Sequence, residues 1–234
     1  MERRQIEIKR NIIEQSIMYI MDFINKNRKK FFISCISILV STIIVFCGIL
    51  IYEKFEYNEL IQFEKVLEIY RDSYMLEEKA RKEVFQKTII DLKIIIDSSY
   101  WGYVHENGLY ILAGIYHGEK DYSKAKEYYL KFVNRAPSSF FASLALHQAG
   151  IMSEYIGDYN KAMQIYQQLE KEYSNSVIAD EILYDLGRIF QINGDTLKSR
   201  EYYNKVISLY PQSIFTNKAK KRLFMLAYYK KNLK

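Results

Sequence analysis

A long apolar run near the N terminus is the most pronounced feature of the hydrophobic pattern. Residues 31–52, FFISCISILVSTIIVFCGILIY, contain no charged side chain. As a helix rising about 1.5 Å per residue, such a run covers the ~30 Å hydrocarbon core of a bilayer. A cleaved signal peptide has a shorter apolar region, of about 7–15 residues, and a small-residue cleavage site. The pattern therefore predicts an uncleaved transmembrane helix at 31–52.

The charges on either side of this run predict its orientation. Lys26, Arg28, Lys29 and Lys30 precede it, whereas residues 53–70 hold five glutamates and two lysines. Because positive flanks stay on the cytoplasmic side, residues beyond 52 are expected to be exported. We therefore expect a single-pass protein of a bacterial inner membrane, with its C-terminal domain in the periplasm.

The cytoplasmic part, residues 1–30, is predicted to be an amphipathic stub, because its isoleucines recur on one helical stripe. A stub that lies on the membrane surface and one that docks against another helix are both compatible with this pattern.

Beyond the apolar run, large apolar residues recur every three or four positions, first at Leu60, Phe63 and Leu67 and again from about residue 77. This spacing predicts amphipathic helices that link the anchor to the rest of the chain over residues 53–104 and include a degenerate half repeat. With two prolines and nine glycines in the whole sequence, long helices are favoured throughout. The predicted fold class is all-α.

From residue 105 onward the sequence repeats with a period of 37. The helix-turn segments are KDYSKA at 120–125, GDYNKA at 157–162 and GDTLKS at 194–199. The same register aligns small residues at Ala113, Gly150 and Gly187 and tyrosines at Tyr129, Tyr166 and Tyr203. A fixed period of this length is typical of helix pairs that must stack because none can cover its own apolar face.

These positions resemble the tetratricopeptide repeat family. The first copy shows Leu112-Ala113, Tyr116, Ala125, Tyr129 and Pro137, and the third shows Leu186-Gly187, Phe190, Ser199, Tyr203 and Pro211. The middle copy departs from the pattern with Ser153 in place of an aromatic residue and Ser174 in place of proline. The resemblance implies a right-handed superhelix of stacked antiparallel helix pairs. Repeats are expected at about 105–138, 142–175 and 179–212, followed by a closing helix in a domain that extends to residue 234.

The resemblance also implies which side chains line the concave groove, because the first helix of each repeat faces it in the family. The matching positions are Asn107, Tyr110, His117, Leu144, His147, Glu154, Tyr155, Glu181, Tyr184, Arg188 and Gln191. Aromatic, amide and charged groups in this combination suit the capture of a peptide or helix. The alternative is that these side chains are solvated or packed against the closing helix, and that the convex face or the closing helix binds instead.

Charge and residue chemistry narrow the function. The net charge is +6, but residues 1–52 hold eight Lys/Arg against four acids, which leaves only +2 for the remainder. A nucleic-acid-binding domain is therefore not expected. The exported part has three histidines, no cysteine and no glycine-rich phosphate loop. We predict no catalysis and no cofactor or metal, with a metal site at His117, His147 and Glu154 as the weaker alternative.

The last part of the chain is unusually basic and apolar. Residues 202–234 include eight Lys/Arg and no acid, and Leu223, Phe224 and Leu226 make the closing helix more apolar than one packed face requires. A solvated helix end, contact with anionic lipid or an acidic partner, and contact with a second copy of the chain are the alternatives for this segment.

Together these features predict a non-enzymatic, membrane-anchored adaptor of the bacterial cell envelope that binds other proteins in its groove. The order of stub, anchor, linking helices and exported repeats also resembles the ancillary subunit of the SecYEG translocon, which implies translocon or chaperone components as partners. The alternatives are a scaffold for envelope assembly or cell division and a dedicated partner that stabilises one envelope protein.

Overall fold

The computed structural model describes the backbone of residues 2–99 and 102–232 and the side chains of residues 14–99 and 102–228. The side chains of the first part of the predicted stub, residues 1–13, lie outside the described residues. Within the described residues every regular element is helical, as the all-α prediction requires. The helices are α1 (Glu2–Lys26), α2 (Arg28–Asp72), a 3-10 turn (Ser73–Met75), α3 (Glu78–Ser98), α4 (Tyr103–Gly118), α5 (Tyr122–Arg135), α6 (Ala142–Tyr155), α7 (Tyr159–Glu172), α8 (Ala179–Ile192), α9 (Thr196–Leu209) and α10 (Ile214–Asn232).

The chain divides into two compact units, residues 1–58 and residues 59–234. In the first unit the apolar side chains are exposed, with Phe32 at 63% and Ile44 at 65% of their full accessible surface. The segment Arg28–Met75 contains an 18-residue stretch with a mean hydropathy of 2.6, none of which is buried. By length and composition this helix is able to cross a membrane.

The second unit begins with the last turns of α2, whose Phe63 is 1% exposed. Phe63 packs beside Gly108 of α4, and a Cβ at Gly108 would lie 2.7 Å from Ile96 Cγ1 of α3. The linking helices are therefore packed onto the first repeat and share its core.

Three helix pairs follow, α4 with α5, α6 with α7 and α8 with α9, and α10 packs on the last pair. Each pair is joined by a turn in which the residue before the aspartate has a positive φ: 61° at Lys120, 78° at Gly157 and 82° at Gly194. The following aspartate caps the second helix by accepting the backbone N–H three residues on, at 3.1 Å for Asp121 and 3.0 Å for Asp158 and Asp195. The three repeated segments thus form the same turn and the same helix cap.

In the second and third repeats, a tyrosine of the second helix packs against the small residue of the first helix. A Cβ at Gly187 would lie 2.6 Å from Cε1 of Tyr203, and a Cβ at Gly150 would overlap the ring of Tyr166. Both tyrosines are fully buried. Glycine therefore lets a large flat ring fill the space between the two helices of these repeats.

The middle repeat packs differently at its atypical position. The outer repeats stack an aromatic ring of the first helix on a tyrosine of the second, Tyr116 on Tyr128 at 5.5 Å and Phe190 on Tyr202 at 5.4 Å between centroids. In the middle repeat Ser153 and Ile165 take these two places, and both are buried. The Ser153 hydroxyl donates to the carbonyl of Ala149 at 2.9 Å, so its burial leaves no unpaired donor.

Candidate functional site

The first helices α4, α6 and α8 carry the predicted groove residues, and positions 37 apart are equivalent. One such set is Tyr110, His147 and Tyr184, whose rings lie 5.7, 5.6 and 5.7 Å from those of Tyr129, Tyr166 and Tyr203. Tyr110 also reaches Phe141 at 5.6 Å, and Tyr184 reaches Phe215 of α10 at 5.4 Å. Tyr110 and Tyr184 thus brace successive helices, and burial raises the pKa of Tyr110.

His147, the middle member of this set, is buried and makes a polar contact instead. Its Nε2 lies 2.8 Å from Oδ2 of Asp185, a residue of α8, and His147 is 4% exposed. The other carboxylate oxygen of Asp185 accepts hydrogen bonds from Arg188, at 3.1 Å from Nε and 3.0 Å from Nη2. The carboxylate of Asp185 is therefore bonded on both oxygens and ties α6 to α8.

Arg188 forms a second, two-pronged contact with Glu154 at the end of α6. Its Nη2 donates to Glu154 Oε1 at 2.6 Å, and its Nη1 donates to Oε2. Tyr166 donates its hydroxyl to the same Oε1 at 2.6 Å. The hydrogen bond to Glu154 is the main cause that raises the pKa of Arg188, and burial raises the pKa of Tyr166. The guanidinium therefore stays charged and the phenol stays a donor.

The third repeat shows the neutral equivalent of the tyrosine contact. Tyr203 donates to Gln191 Oε1 at 3.0 Å, and Gln191 occupies in α8 the place that Glu154 occupies in α6. The fully buried tyrosines of α7 and α9 thus each donate a hydrogen bond from the hydroxyl to a side chain of the first helix of the repeat. This shared geometry holds the groove side chains Glu154 and Gln191 in equivalent places.

A pocket of about 490 Å³ opens between α6 and α8. Its lining consists of Ile151, Glu154, Tyr155, Tyr159, Glu181, Asp185, Arg188 and Ile192. Four of the predicted groove residues are brought together here, namely Glu154, Tyr155, Glu181 and Arg188. Aromatic, aliphatic and charged groups thus share one concavity, a composition suited to a peptide ligand.

Tyr155 and Tyr159 form the exposed aromatic part of this pocket, with 59% and 40% of their surfaces accessible. The ring of Tyr155 stacks on Tyr122 of the first repeat at 4.5 Å between centroids. His117 lies beside this stack, with its ring 6.4 Å from that of Tyr155. The stacking on Tyr122 fixes the ring of Tyr155 in place, and the exposed parts of Tyr155 and Tyr159 are accessible to a ligand.

The other predicted residues lie outside the pocket. Asn107 donates to the carbonyl of Tyr103 in its own helix at 2.8 Å, and Leu144 is half-buried in α6. Asp185 and Tyr159, in contrast, line the pocket without having been predicted. Asp185 stands four residues after Glu181 and three before Arg188, so helical spacing placed it on the face of those two predicted residues.

A metal-ligand grouping in the described part of the chain consists of His147, Glu181 and Asp185, whose ligand atoms lie within 4.8 Å of one another. It differs from the set of His117, His147 and Glu154 considered from the sequence, sharing only His147. The carboxylate of Asp185 is already bonded to the Nε2 of His147 and to Arg188. The geometry therefore favours a hydrogen-bonded network over an ion site at these two residues.

Comparison with known proteins agrees with the repeat geometry. A family model described as tetratricopeptide repeat matches residues 107–139 and 180–213, and a second model of the same description matches residues 144–176. No catalytic family is among these matches. A search of curated protein sequences finds no matching relative.

Solved structures with this fold are numerous. The crystal structure of MamA protein superposes with a TM-score of 0.50 at 20% identity, over 73% of this chain and 88% of that chain. YrrB, a TPR protein with an unusual peptide-binding site, gives 0.47 at 16% identity, over 60% and 68% of the two chains. A tetratricopeptide repeat protein from Parabacteroides merdae ATCC 43184 gives 0.48 at 16% identity, over 69% and 59%. The helix pairs α4–α5, α6–α7 and α8–α9 coincide with the three segments that match tetratricopeptide repeat models.

Proposed function

We propose that this protein is a membrane-anchored adaptor that binds other proteins in the pocket between α6 and α8 and catalyses no reaction. Tetratricopeptide repeats are a fold of protein-interaction adaptors, which supports protein binding at the level of the fold. We choose this surface as the binding site because of the composition of its pocket. It joins exposed Tyr155 and Tyr159 to the charged side chains of Glu154, Glu181 and Arg188.

The proposal gives the remaining predicted groove residues different tasks. Tyr110 and Tyr184 hold neighbouring helices together through their ring contacts. Replacing them with alanine would open cavities in the repeat core as well as remove contact surface. Tyr155, which is exposed, is the cleaner position at which to test binding.

The membrane anchor is supported by the uncharged segment 31–52 and by its exposed apolar side chains. The basic residues before it and the glutamates after it support a cytoplasmic N terminus and an exported repeat domain. In a cell with two membranes this domain is periplasmic. Envelope, translocon or chaperone proteins are then the partners proposed, with envelope assembly, cell division and stabilisation of one envelope protein as the other roles.

The topology is tested with a short epitope tag fused after Lys234. External protease added to intact spheroplasts is expected to remove the tag, whereas a tag on the N terminus is expected to survive until the membrane is lysed. A C-terminal tag that survives in sealed spheroplasts would place the repeats in the cytoplasm and contradict the envelope role.

The binding surface is tested by photo-crosslinking in cells. Benzoylphenylalanine at position 155 or 159 is expected to capture partners, because both side chains are exposed in the pocket. Leu197, which is 83% exposed on α9, is the control position, and Phe224, which is 72% exposed on α10, reports on the closing helix.

The captured proteins are identified by mass spectrometry. Several translocon or chaperone proteins would support the adaptor, and one envelope protein would support the dedicated-partner role. Equal capture at Leu197 and Tyr155, or capture at Phe224 alone, would show that the pocket is not the binding surface.

A further inference from the structure

The junction between the second and third repeats carries charges that the preceding junction does not. Glu181, Asp185 and Arg188 lie on one face of α8, where α6 has Leu144, Gln148 and Ile151 at the equivalent positions. Asp185 is buried and the other two are half-buried. Charged groups are costly to bury unless they are paired, so the extent of their pairing decides what this face is able to bind.

The guanidinium of Arg188 is already hydrogen-bonded to carboxylates of the protein itself. It bonds Glu154 through both terminal nitrogens and Asp185 through Nε and Nη2. Among the described residues that line the pocket it is the sole Lys or Arg, against the three carboxylates of Glu154, Asp185 and Glu181. The pocket therefore has an excess of negative charge.

Glu181 is the carboxylate of this pocket that does not take part in the hydrogen-bonded network. In the described part of the chain its side chain has no hydrogen bond and no ion pair within 4 Å, although its ligand oxygen lies within 4.8 Å of the His147 and Asp185 atoms. Burial is the main cause that raises the pKa of Glu181; the carboxylates of Asp185 and Asp180 raise it further, and His147 and Lys218 lower it. Lys218 lies over the rings of Tyr184 and Phe215 and, among the described residues, forms no ion pair with Glu181. A partly buried carboxylate without a directly paired cation is a binding group for one.

We propose that Glu181 binds a lysine or arginine side chain of a protein partner lying in this pocket, with Tyr155 and Tyr159 as its aromatic walls. The inference rests on the proposed function and names the chemistry that the groove recognises. The carboxylate of Glu181 supplies a charged hydrogen bond to the partner's cation, and the tyrosines supply aromatic surface for the rest of the bound segment. A basic segment is thus favoured over an acidic one, which the excess of carboxylates would repel.

A metal ion is the other cation that carboxylates attract. Here it would have to displace the hydrogen bond between His147 and Asp185, and it would lie near the Arg188 guanidinium, which is 3.0 Å from Oδ1 of Asp185. A partner's ammonium or guanidinium group needs only the open carboxylate of Glu181. The observations therefore favour the side-chain cation, and metal binding is an outcome that the experiment separates.

The test uses the full chain purified in dodecylmaltoside micelles and a phage library of random octapeptides. Selections are run on the wild type, on Glu181→Gln and on Tyr155→Ala. Glu83→Gln, which neutralises an exposed carboxylate of α3, is the matched control. Peptides selected by the wild type and by Glu83→Gln are expected to be enriched in Lys or Arg at one position, and those selected by Glu181→Gln are not.

A selected peptide is then synthesised with its basic residue and with norleucine in that place. Either norleucine in the peptide or Glu181→Gln in the protein is expected to weaken binding about tenfold, and the two changes together no more than either alone. Equal basic enrichment in the Glu181→Gln selection, or a norleucine peptide that binds the wild type equally well, would overturn the inference.

The outcomes separate the two levels of the proposal. Peptides that depend on Tyr155 but show no basic preference would refute the role of Glu181 and leave the binding groove in place. Failure to select any peptide that depends on Tyr155 would refute the groove and the inference together. Stoichiometric Zn²⁺ binding to the EDTA-treated wild type that is lost in Glu181→Gln would replace the side-chain cation with a metal ion.

Discussion

Replacing Arg188 with methionine should destabilise the repeat domain more than any exposed charge substitution. The guanidinium satisfies both oxygens of Glu154 and one oxygen of Asp185. Methionine fills similar volume but offers no donor and no charge. Glu154, Asp185 and Glu181 would then face one another across the junction of α6 and α8, with His147 as the remaining donor to Asp185.

The magnitude follows from the burial of this network. The Arg188 side chain is 23% exposed, and the carboxylates of Glu154 and Asp185 are 14% and 11% exposed. Removing one partner of a buried ion pair costs about 3–5 kcal/mol, and the partial exposure here places the expected loss near ~3 kcal/mol. For a domain of this size about 2–4 °C is lost per kcal/mol, so the unfolding midpoint should fall by roughly 6–12 °C.

Thermal unfolding of the full chain in detergent micelles, followed by the near-ultraviolet ellipticity of its tyrosines, measures this midpoint. Lys82→Met is the control, because the Lys82–Glu78 pair has side chains 61% and 71% exposed, so its loss should move the midpoint far less than the loss of Arg188. The unfolding midpoint of Arg188→Lys should lie between those of the wild type and Arg188→Met, since an ammonium group cannot form the two parallel hydrogen bonds that the guanidinium makes to Glu154. A fall of less than about 2 °C in Arg188→Met would show that the network is not a structural bond between the repeats.

Three further outcomes follow from single positions. Lys120→Gly should raise the free energy of unfolding by about 0.5 kcal/mol, because Lys120 has a φ of 61°, which glycine adopts without strain. Gly157→Ala, at a φ of 78°, should lower it by about 1 kcal/mol. Denaturant titration measures both free energies, and changes of the same sign in the two variants would contradict the argument. Glu181→Gln should raise the unfolding midpoint at pH 7, because burial raises the pKa of Glu181 and the fold therefore disfavours the ionised carboxylate. The gain in midpoint should vanish as the pH falls below 4.5, the ordinary pKa of a glutamate. A gain that does not depend on pH would exclude this cause. Burial raises the pKa of Tyr129 and Tyr203 to about 12 from an ordinary 10.0, so stability should be lost as pH rises from 10 to 12; phenolate absorbance from these residues before unfolding would contradict it.

The fold was predictable because its determinants are local and repeated. The period of 37 residues places a turn, a capping aspartate and a small residue at the same point of every pair. The structure shows Asp121, Asp158 and Asp195 in the same capping role. Ser174 shows why one departure did no harm: α7 ends at Glu172, two residues before it, as α5 ends at Arg135, two residues before Pro137. The missing proline changed no boundary.

The candidate site was predictable only to the level of a helix face. Helical spacing identifies the residues of α6 and α8 that point to one side, but it does not give the rotation of one helix against the other. The contact of His147 with Asp185 spans 38 residues of sequence and that of Glu154 with Arg188 spans 34. Two residues at equivalent positions also proved to differ in role: Tyr184 packs on aromatic rings, whereas His147 enters a charged network.

This division of roles explains how one repeat architecture can carry a specific surface. Tyr166 and Tyr203 fill the same space against Gly150 and Gly187, and each ends in a hydrogen bond to the first helix of its repeat. The second and third repeats share this framework, with a charged acceptor, Glu154, in the second and a neutral one, Gln191, in the third. The charged residues are added on the face that the framework leaves open, at the positions where α6 carries Leu144, Gln148 and Ile151. A partly buried carboxylate such as Glu181 is expected to lower stability there, because burial raises its pKa. Its presence is therefore better explained by a ligand than by folding, which is the physical reason to seek the partner at this junction.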